Sequence, residues 1–593
     1  MKKVLSILII VVLMTSALSI SVFAYEEEND FNYSSDAENI IVSGRDITTK
    51  GDLKIPEKYN GQDITVIDSD GFDDYTEITS ATIPNTVSVI ENSAFQDCIN
   101  LSKINLPNGL VKIGKLAFDN TSFANNIKNW TEDRKALYLG TYLISVNPLA
   151  SGSFEIKEGT TLIADSAFEG CKGITNIKIP KSVKYIGKDA FRDSGVLNNR
   201  RDLRSLYIDN CLIHSDSSGS YVVNEGTRVI ADGCFMNNKE LSSVVIPNTV
   251  QTIGQSAFLY CPKLDSISIG SKVDYIGEDA FLLCESLSSI SVSSENKTFS
   301  IKDGMLFSGN TLLRCPEQRE GIITLDENTS YIGNGAFSGC KRITAINFSN
   351  TLKGIGESAF SECGKIDKFV LPDSLQNIGN FAFAYCYGLT EIKFPDTIEM
   401  LGHSIFSYCS HLEKADLGRG VTEIPAWTFQ YCENLKYVDM TNINKTGYLC
   451  FYRTSLIDKD SNFDENGMLI IDDCLLNVKP GFTEYNIPEG TRLICADCFE
   501  DCGDIELITL PKTLEYIDSG ALYVGGTVQR IVYSGTNNMW NERDFAESIG
   551  KYPVEGISMI QDIPYEKIII ISAASIVCIF AALLIYLKNK RVG

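Results

Sequence analysis

Apolar residues recur along this chain with a period of 23 residues, and a phenylalanine marks each repeat, usually within the phrase Ala-Phe-x-x-Cys. Eleven of the fifteen intervals between successive anchors lie within one residue of 23, while the other four are 50, 44, 56 and 48 residues long. A period in the twenties predicts a solenoid. The anchors are Phe72, Phe95, Phe118, Phe168, Phe191, Phe235, Phe258, Phe281, Phe337, Phe360, Phe383, Phe406, Phe429, Phe451, Phe499 and Leu522.

Each repeat contains two short apolar runs that predict two short strands. The first has the spacing L-x-x-I-x-L-P, as in Leu241 to Pro247, where alternation indicates one buried face and the proline ends the strand. The second, as in Thr252-Ile253-Gly254, ends in a glycine that suits a tight bend. One coil cannot bury its apolar side chains alone, so the coils must stack on one another. We therefore predict one elongated repeat region over residues 52–535.

The four long intervals each hold an inserted segment. These segments, at residues 138–144, 207–213, 301–307 and 464–470, are variants of one strand-turn-strand theme, and each leads back into a strand before the next anchor.

The repeat unit also carries a specific resemblance. The string Ile246-Pro247-Asn-Thr-Val-x-x-Ile253-Gly254-x-x-Ala257-Phe258-x-x-Cys261 is similar to the unit of the BspA-like leucine-rich repeat surface proteins, and the similarity spans roughly residues 52–533. The resemblance implies a leucine-rich repeat solenoid with short parallel strands in each coil. It also implies a secreted or surface-anchored bacterial protein, because proteins of this family are typically of that kind. Several members are regarded as adhesins for host matrix proteins or for other cells.

The two ends of the chain predict export and membrane retention. Residues 1–24 have the basic start and apolar run of a secretory signal peptide, followed by a leader at residues 25–51. A cap and linker at residues 536–567 precede Ile568 to Leu587, an uncharged apolar run long enough to cross a membrane as one helix. Basic residues in the tail, 588–593, place that tail in the cytoplasm. The alternative, a signal for covalent wall attachment, lacks its usual Leu-Pro-x-Thr-Gly.

The charge of the chain restricts its partners. Asp and Glu outnumber Lys and Arg by 76 to 52, which gives a formal charge of -24. Nucleic acid and anionic lipid surfaces both need a basic footprint, so neither is an expected partner. The acidic exterior is interpreted as a solubility device, with recruitment of basic partners as the alternative.

Eighteen cysteines in an exported chain would ordinarily suggest disulfides. Their positions favour buried thiols instead, because ten of them lie three residues after an anchor, in a slot where a small apolar thiol fits the core. Cys495, Cys498 and Cys502 form the most plausible local exception, although they occupy ordinary repeat slots with no histidine nearby in sequence.

The sequence offers little catalytic chemistry, and we predict no catalytic residues, no metal and no cofactor. Only three histidines occur, and His214 lies beside Ser215 and Asp216 in an inserted turn, which does not by itself make a relay. The segment from Asp458 to Asp464 resembles the start of a calcium loop, but Phe463 stands where the loop needs glycine.

A partner is expected on the first strand of each coil, whose outward residues we predict to form an exposed concave face. From Lys368 to Asp439 this face becomes charged with mixed sign, and in the same coils tyrosines recur two residues after three successive anchors, so we expect the contact region at residues 360–440. Such aromatic side chains often anchor interfaces, although they can also simply stabilise one another between coils. The candidate ligand-binding residues are Lys368, Tyr385, Glu391, Lys393, Tyr408, Lys414, Asp416, Tyr431, Tyr437 and Asp439.

These observations favour a non-enzymatic cell-surface protein that binds an extracellular protein or glycan. The alternative is a structural spacer or an envelope-organising protein, and an enzyme ranks third.

Overall fold

A computed structural model describes residues 31–36, 39–45, 48–199, 204–536, 539–540, 543 and 554–555. The predicted signal peptide and the span Ile568 to Leu587 lie outside the described residues. Within the described residues no helix is long and apolar enough to cross a membrane. The chain divides into two compact units, residues 1–462 and residues 463–593, and each is described by itself.

Each coil of the first unit has three sides, of which two are short parallel strands that pair with their equivalents one coil away. We name them the long-strand side and the short-strand side, and the third is the turn side, which carries the anchor phenylalanine. The long strands are Gly51–Lys54, Ile78–Thr82, Lys103–Asn105, Ser151–Glu155, Gly173–Lys178, Gly219–Val222, Leu241–Val245, Ser266–Ile269, Ser289–Val292, Glu320–Thr324, Arg342–Asn347, Lys368–Val370, Glu391–Lys393, Lys414–Asp416 and Tyr437–Val438. The short strands are Gln62–Ile67, Val89–Ile90, Lys112–Ile113, Leu162–Ile163, Tyr185–Ile186, Val229–Ile230, Thr252–Ile253, Tyr275–Ile276, Tyr331–Ile332, Gly354–Ile355, Asn377–Ile378, Met400–Leu401, Glu423–Ile424 and Lys445–Thr446.

Antiparallel hairpins start most segments of the short-strand ladder. In each, the last strand of the hairpin continues into the parallel ladder, as when Cys211 and Leu212 pair with Val229 and Ile230. The hairpins of the first unit are Phe31–Asp36 with Asn39–Gly44, Ala136–Leu139 with Tyr142–Val146, Ser205–Ile208 with Cys211–Ser215, and Phe299–Lys302 with Met305–Ser308 and Thr311–Arg314; Lys58–Tyr59 also pairs back on Gln62–Ile67. Short helices are Ser122–Asn125, Gly195–Asn198 and Ser455–Asp458, with 3-10 turns at Ile127–Asn129 and Asp460–Asn462.

The first unit curls around its short-strand side. The rings of Tyr185 and Tyr275 meet edge to face at 5.1 Å although several coils separate them. The side-chain amide of Asn377 likewise donates to the side-chain oxygen of Gln62 at 3.3 Å, across most of the unit. The short strands therefore line the inside of the curl and the long strands lie outside. The expectation that the long strands form the concave face is wrong, because the contacts between distant coils are made on the short-strand side.

The anchor phenylalanines form stacked columns in the core. Phe360, Phe383, Phe406 and Phe429 are fully buried, and their ring centroids lie 5.6 to 5.7 Å apart with nearly parallel planes. Burying one such ring contributes about 1.5 to 3 kcal/mol, and each stacked pair adds about 1 kcal/mol. The anchors therefore supply much of the stability between neighbouring coils.

The cysteines of the described residues are all buried free thiols, which confirms the interpretation from their spacing. The thiol three residues after an anchor donates to the carbonyl oxygen of the anchor one coil earlier. The pairs Cys386 to Phe360, Cys409 to Phe383 and Cys432 to Phe406 all have this contact at 3.1 Å. Burial raises the pKa of the Cys386 thiol to about 12, so it is unreactive at neutral pH.

Glycines at the end of the short strands are needed for close approach rather than for a bend. Gly254 has no positive φ, but a Cβ atom built on it would lie 2.6 Å from the carbonyl carbon of Ala231 in the preceding coil. Close packing against the preceding coil, rather than the tight bend suggested from the sequence, therefore explains the glycine at this position.

The second unit repeats the same coil. It begins with the hairpin Met468–Ile471 and Cys474–Val478, whose second strand pairs with the short strands Leu493–Ile494 and then Tyr516–Ile517. Its long strands are Glu484–Asn486, Leu507–Leu510, Ile531–Tyr533 and Val554–Glu555. The buried core includes Tyr485, Phe499 and Leu522, so the last two anchors also point inward.

Candidate ligand-binding side of the coils

The turn side is a third hydrogen-bonded ladder. In the coil around Phe383, the backbone N–H groups of Phe381, Phe383 and Tyr385 donate to carbonyl oxygens of the next coil at 2.9 to 3.0 Å. The anchor side chain points inward, whereas the side chains two residues before it and two residues after it reach the surface in most coils, as those of Phe381 and Tyr385 do. These two positions are the slots through which the turn side meets solvent.

Both slots have a left-handed backbone throughout the first unit. Most coils fill them with residues that tolerate this conformation, such as Asp97, Asn237, Ser358 and Gly335. Between residues 381 and 431, five of the six slots instead hold Phe381, Tyr385, Tyr408, Trp427 and Tyr431, with φ between 54° and 63°, and the sixth holds Ser404. A left-handed conformation costs a residue with a Cβ about 1–2 kcal/mol. Strained residues of this kind cluster at functional sites, which makes this region the candidate site.

The structure brings the three predicted tyrosines together. Tyr385 and Tyr408 stack at 4.9 Å between ring centroids, and Tyr408 and Tyr431 stack at 4.6 Å, with planes within 12° of parallel. We name these three residues the tyrosine ladder. Tyr387 meets Tyr385 edge-on and Tyr452 meets Tyr431 edge-on, so the ladder exposes ring edges and hydroxyl groups rather than open faces.

Sequence reasoning missed a second group of aromatic residues on the turn side. Phe381, Trp427 and Tyr448 are 38 to 50% exposed, and Trp427 meets Tyr448 edge to face at 6.2 Å. Phe381 and Trp427 occupy the slot two residues before the anchor. That slot was detectable in the sequence, because Asp and Ser recur there in other coils, but it was not recognised as exposed.

The tyrosine ladder ends in an open depression of about 480 Å³. The guanidinium group of Arg453 lies over the ring of Tyr452 at 5.5 Å, which places a cation at this end of the ladder. The depression is lined by Tyr431, Glu433, Arg453, Ser455, Asp458 and Lys459.

The other predicted residues lie on a different side, the outer long-strand side, where their charges pair between coils. Lys368 forms an ion pair with Glu391, and the Lys393 ammonium lies 3.3 Å from an Asp416 carboxylate oxygen. The hydrogen bond from Lys368 lowers the pKa of Glu391. These exposed pairs contribute little to stability, and they also reduce the charge available to a ligand.

The last three predicted residues also lie on the long-strand side. The Lys414 ammonium sits 5.6 Å from the ring of Tyr437, and Asp439 accepts from the backbone N–H of Thr441 at 3.0 Å. The candidate residues therefore fall into two groups on two sides, of which the tyrosine ladder is the one with unusual geometry.

The segment around His214 forms local contacts. His214 Nε2 lies 3.0 Å from an Asp216 carboxylate oxygen, while the Ser215 hydroxyl is buried and bonds to Ser205 and Ser217. Among the residues that the structure describes, no group of three or more His, Cys, Asp and Glu side chains could hold a metal ion.

Comparison with known proteins defines the class of this fold as a leucine-rich repeat solenoid. The model of the BspA type leucine rich repeat region matches residues 65–198, 208–316, 319–436, 355–479 and 470–551. The chain therefore belongs to the BspA-type leucine-rich repeat family, as its repeat unit indicated. No curated protein matches the chain.

Several solved structures are similar to this chain. A leucine-rich cell surface protein from Faecalibacterium prausnitzii is 20% identical over 90% of this chain and 100% of that chain, with a TM-score of 0.24. A leucine-rich repeat protein from Eubacterium ventriosum is 16% identical over 73% and 97%, with a TM-score of 0.35. The pneumococcal vaccine antigen PcpA is 15% identical over 89% and 97%, with a TM-score of 0.28.

Proposed function

We propose that this protein is a non-enzymatic surface receptor or adhesin that binds an extracellular protein or glycan on the turn side of residues 381–453. A signal peptide at residues 1–24 and a membrane helix from Ile568 to Leu587 would display the repeats outside the cell, with a short cytoplasmic tail. Membership of a family that includes surface proteins supports this placement.

The observation that carries the proposal is the strained backbone of the tyrosine ladder. Three left-handed tyrosines cost about 3–6 kcal/mol in total, whereas two stacked ring pairs return only about 1–3 kcal/mol. Stacking alone therefore does not account for three successive tyrosines in a slot that most other coils fill with Asp, Asn or Gly. A contact with a ligand supplies the missing reason, since exposed tyrosines are common anchors of interfaces.

The test compares the full chain with a variant carrying Tyr385→Asn, Tyr408→Asn and Tyr431→Asn. Asparagine tolerates the left-handed slot, so we expect the thermal unfolding midpoint to stay the same or rise. Binding to a panel of matrix proteins, cell-wall polymers and glycans should be saturable for the unmodified chain and lost in the variant. Tyr260→Asn is the matched control, because Tyr260 has the same slot and φ of 57° but no aromatic neighbour in that slot.

Two results would contradict the proposal. A clear loss of stability in the triple variant would assign the ladder a structural role. No binding by the unmodified chain anywhere on the panel would favour the structural spacer, which predicts altered wall architecture in cells that lack the protein.

A further inference from the structure

We infer that the ligand of the tyrosine ladder is a linear, neutral polysaccharide that runs along the ladder, from coil to coil. This inference rests on the proposed binding function and specifies its ligand. It follows from the periodicity of the site, from the chemical groups that the ladder exposes, and from the charge around it.

The ladder is periodic, and a periodic ligand fits it best. Tyr385, Tyr408 and Tyr431 present the same group in the same backbone conformation at steps of 4.9 and 4.6 Å. A polysaccharide offers the same hydroxyl groups at each sugar, so each coil can make the same contact with it. A folded protein surface has no such repeat, and it would contact the three tyrosines in three different ways.

The exposed groups of the ladder suit sugar hydroxyls. Because stacking covers the ring faces, the ladder offers phenol hydroxyl groups, each of which can both donate and accept a hydrogen bond. None of these three hydroxyl groups has a hydrogen-bond partner among the residues that the structure describes. The exposed large apolar side chains on the turn side near the ladder are aromatic: Phe381, Tyr387, Trp427 and Tyr448. Rings with polar edges match the mixed polar and apolar surface of a sugar.

The charge around the ladder favours a neutral polymer. The chain as a whole carries a formal charge of -24, which disfavours polyanions such as uronic acid polymers. In the depression at the end of the ladder, the cations Arg453 and Lys459 are matched by the anions Glu433 and Asp458. A neutral chain therefore meets neither strong repulsion nor strong attraction, and its recognition depends on hydrogen bonds and ring contacts.

The experiment measures affinity against ligand length. The probes are linear neutral oligosaccharides of two to six sugars from the cello, chito, xylo and laminari series, titrated into the full chain by calorimetry. In at least one series we expect the dissociation constant to fall with each added sugar until the ladder is covered. The triple asparagine variant should lose this binding, and Tyr260→Asn should retain it.

Tyr408→Phe tests the role of the hydroxyl groups. This variant keeps the stacked ring and removes one hydroxyl, so we expect the affinity for the longest bound oligosaccharide to fall about threefold to tenfold. An unchanged affinity would overturn the hydroxyl contact on which the inference depends.

The remaining outcomes separate the inference from the proposed function. If no oligosaccharide series binds, but a protein on the broad panel binds and is lost in the triple variant, the polysaccharide is wrong and the receptor function stands. If an oligosaccharide binds equally well to the triple variant, the ladder is not its site. If neither proteins nor glycans bind, both the inference and the proposed function fail.

Discussion

Replacing Asp165 with asparagine should stabilise the first unit at neutral pH. Asp165 lies three residues before an anchor, where its Oδ1 accepts from the backbone N–H of Lys188 at 2.9 Å, in the next coil. Asn92, Asn334 and Asn380 form the same contact in their own coils at 2.8 to 2.9 Å. Asparagine therefore keeps the hydrogen bond and removes only the negative charge.

The size of the effect follows from the pKa of Asp165. Burial raises this pKa from 3.8 to about 6, with Lys112 and Lys188 opposing the shift and Glu91 adding to it. The unfolded chain releases the proton near pH 4 and the folded chain near pH 6, so the free energy of unfolding falls as pH rises through this window. The difference between the folded pKa of about 6 and the unfolded pKa of 3.8 lowers the free energy of unfolding by at most about 3 kcal/mol above pH 6.

The assay is urea denaturation of both proteins at pH 4 and pH 7.5. Hydrogen exchange of the short strands Leu162–Ile163 and Tyr185–Ile186 provides a local readout. We expect the asparagine variant to gain stability only at pH 7.5. Asn92→Asp is the matched control, because Asn92 is exposed and the new charge should change little. If the two proteins were equally stable at both pH values, or if the asparagine variant were less stable at pH 7.5, the attraction of Lys112 and Lys188 would outweigh the cost of burying the Asp165 carboxylate.

Three other predictions test the packing of the coils. Phe383→Ala should lower the free energy of unfolding by about 3–5 kcal/mol in urea denaturation, and a loss under about 1 kcal/mol would show that the stacked anchors do not hold the coils together. Gly379→Ala should lower the thermal unfolding midpoint, because the new Cβ would lie 2.6 Å from the Glu357 backbone nitrogen. Gly109→Ala is the control and should leave the midpoint unchanged, because no atom lies within 4 Å of its new Cβ. Equal effects of the two substitutions would contradict the close approach. With its pKa raised to about 12, Cys386 should resist iodoacetamide at pH 8 until urea unfolds the chain, as peptide mapping would show, and rapid labelling of the native protein would argue against burial.

The sequence predicts the coil well because a 23-residue period constrains every repeat in the same way. The anchors, the strand-ending prolines and the buried thiols all follow from spacing and residue type. The direction of curvature does not, because it depends on contacts such as Tyr185 with Tyr275 between distant coils. No local pattern in the sequence reports which of the two ladders lies inside the curl.

The candidate site was only partly predictable for a related reason. Spacing alone places Tyr385, Tyr408 and Tyr431 in one column, and the structure shows the column stacked. Alternation along the first strand also identified Lys368 and Glu391 as exposed, but it could not show that they pair with each other. Trp427 lies two residues before the buried anchor Phe429, where simple alternation predicts a second buried side chain, so its exposure was missed.

The two left-handed slots of each coil in the first unit also limit how the turn side can evolve. Among the described residues, those with positive φ include tyrosine, leucine, phenylalanine, tryptophan, glutamate and arginine, but no valine, isoleucine or threonine. Branching at Cβ makes this backbone conformation especially unfavourable. Mutation can therefore exchange small polar residues in these slots for long or aromatic ones without changing the backbone of the coil. Substitution by valine, isoleucine or threonine is disfavoured. New binding specificities on the turn side would therefore arise by substitutions among residues that are not branched at Cβ, one coil at a time.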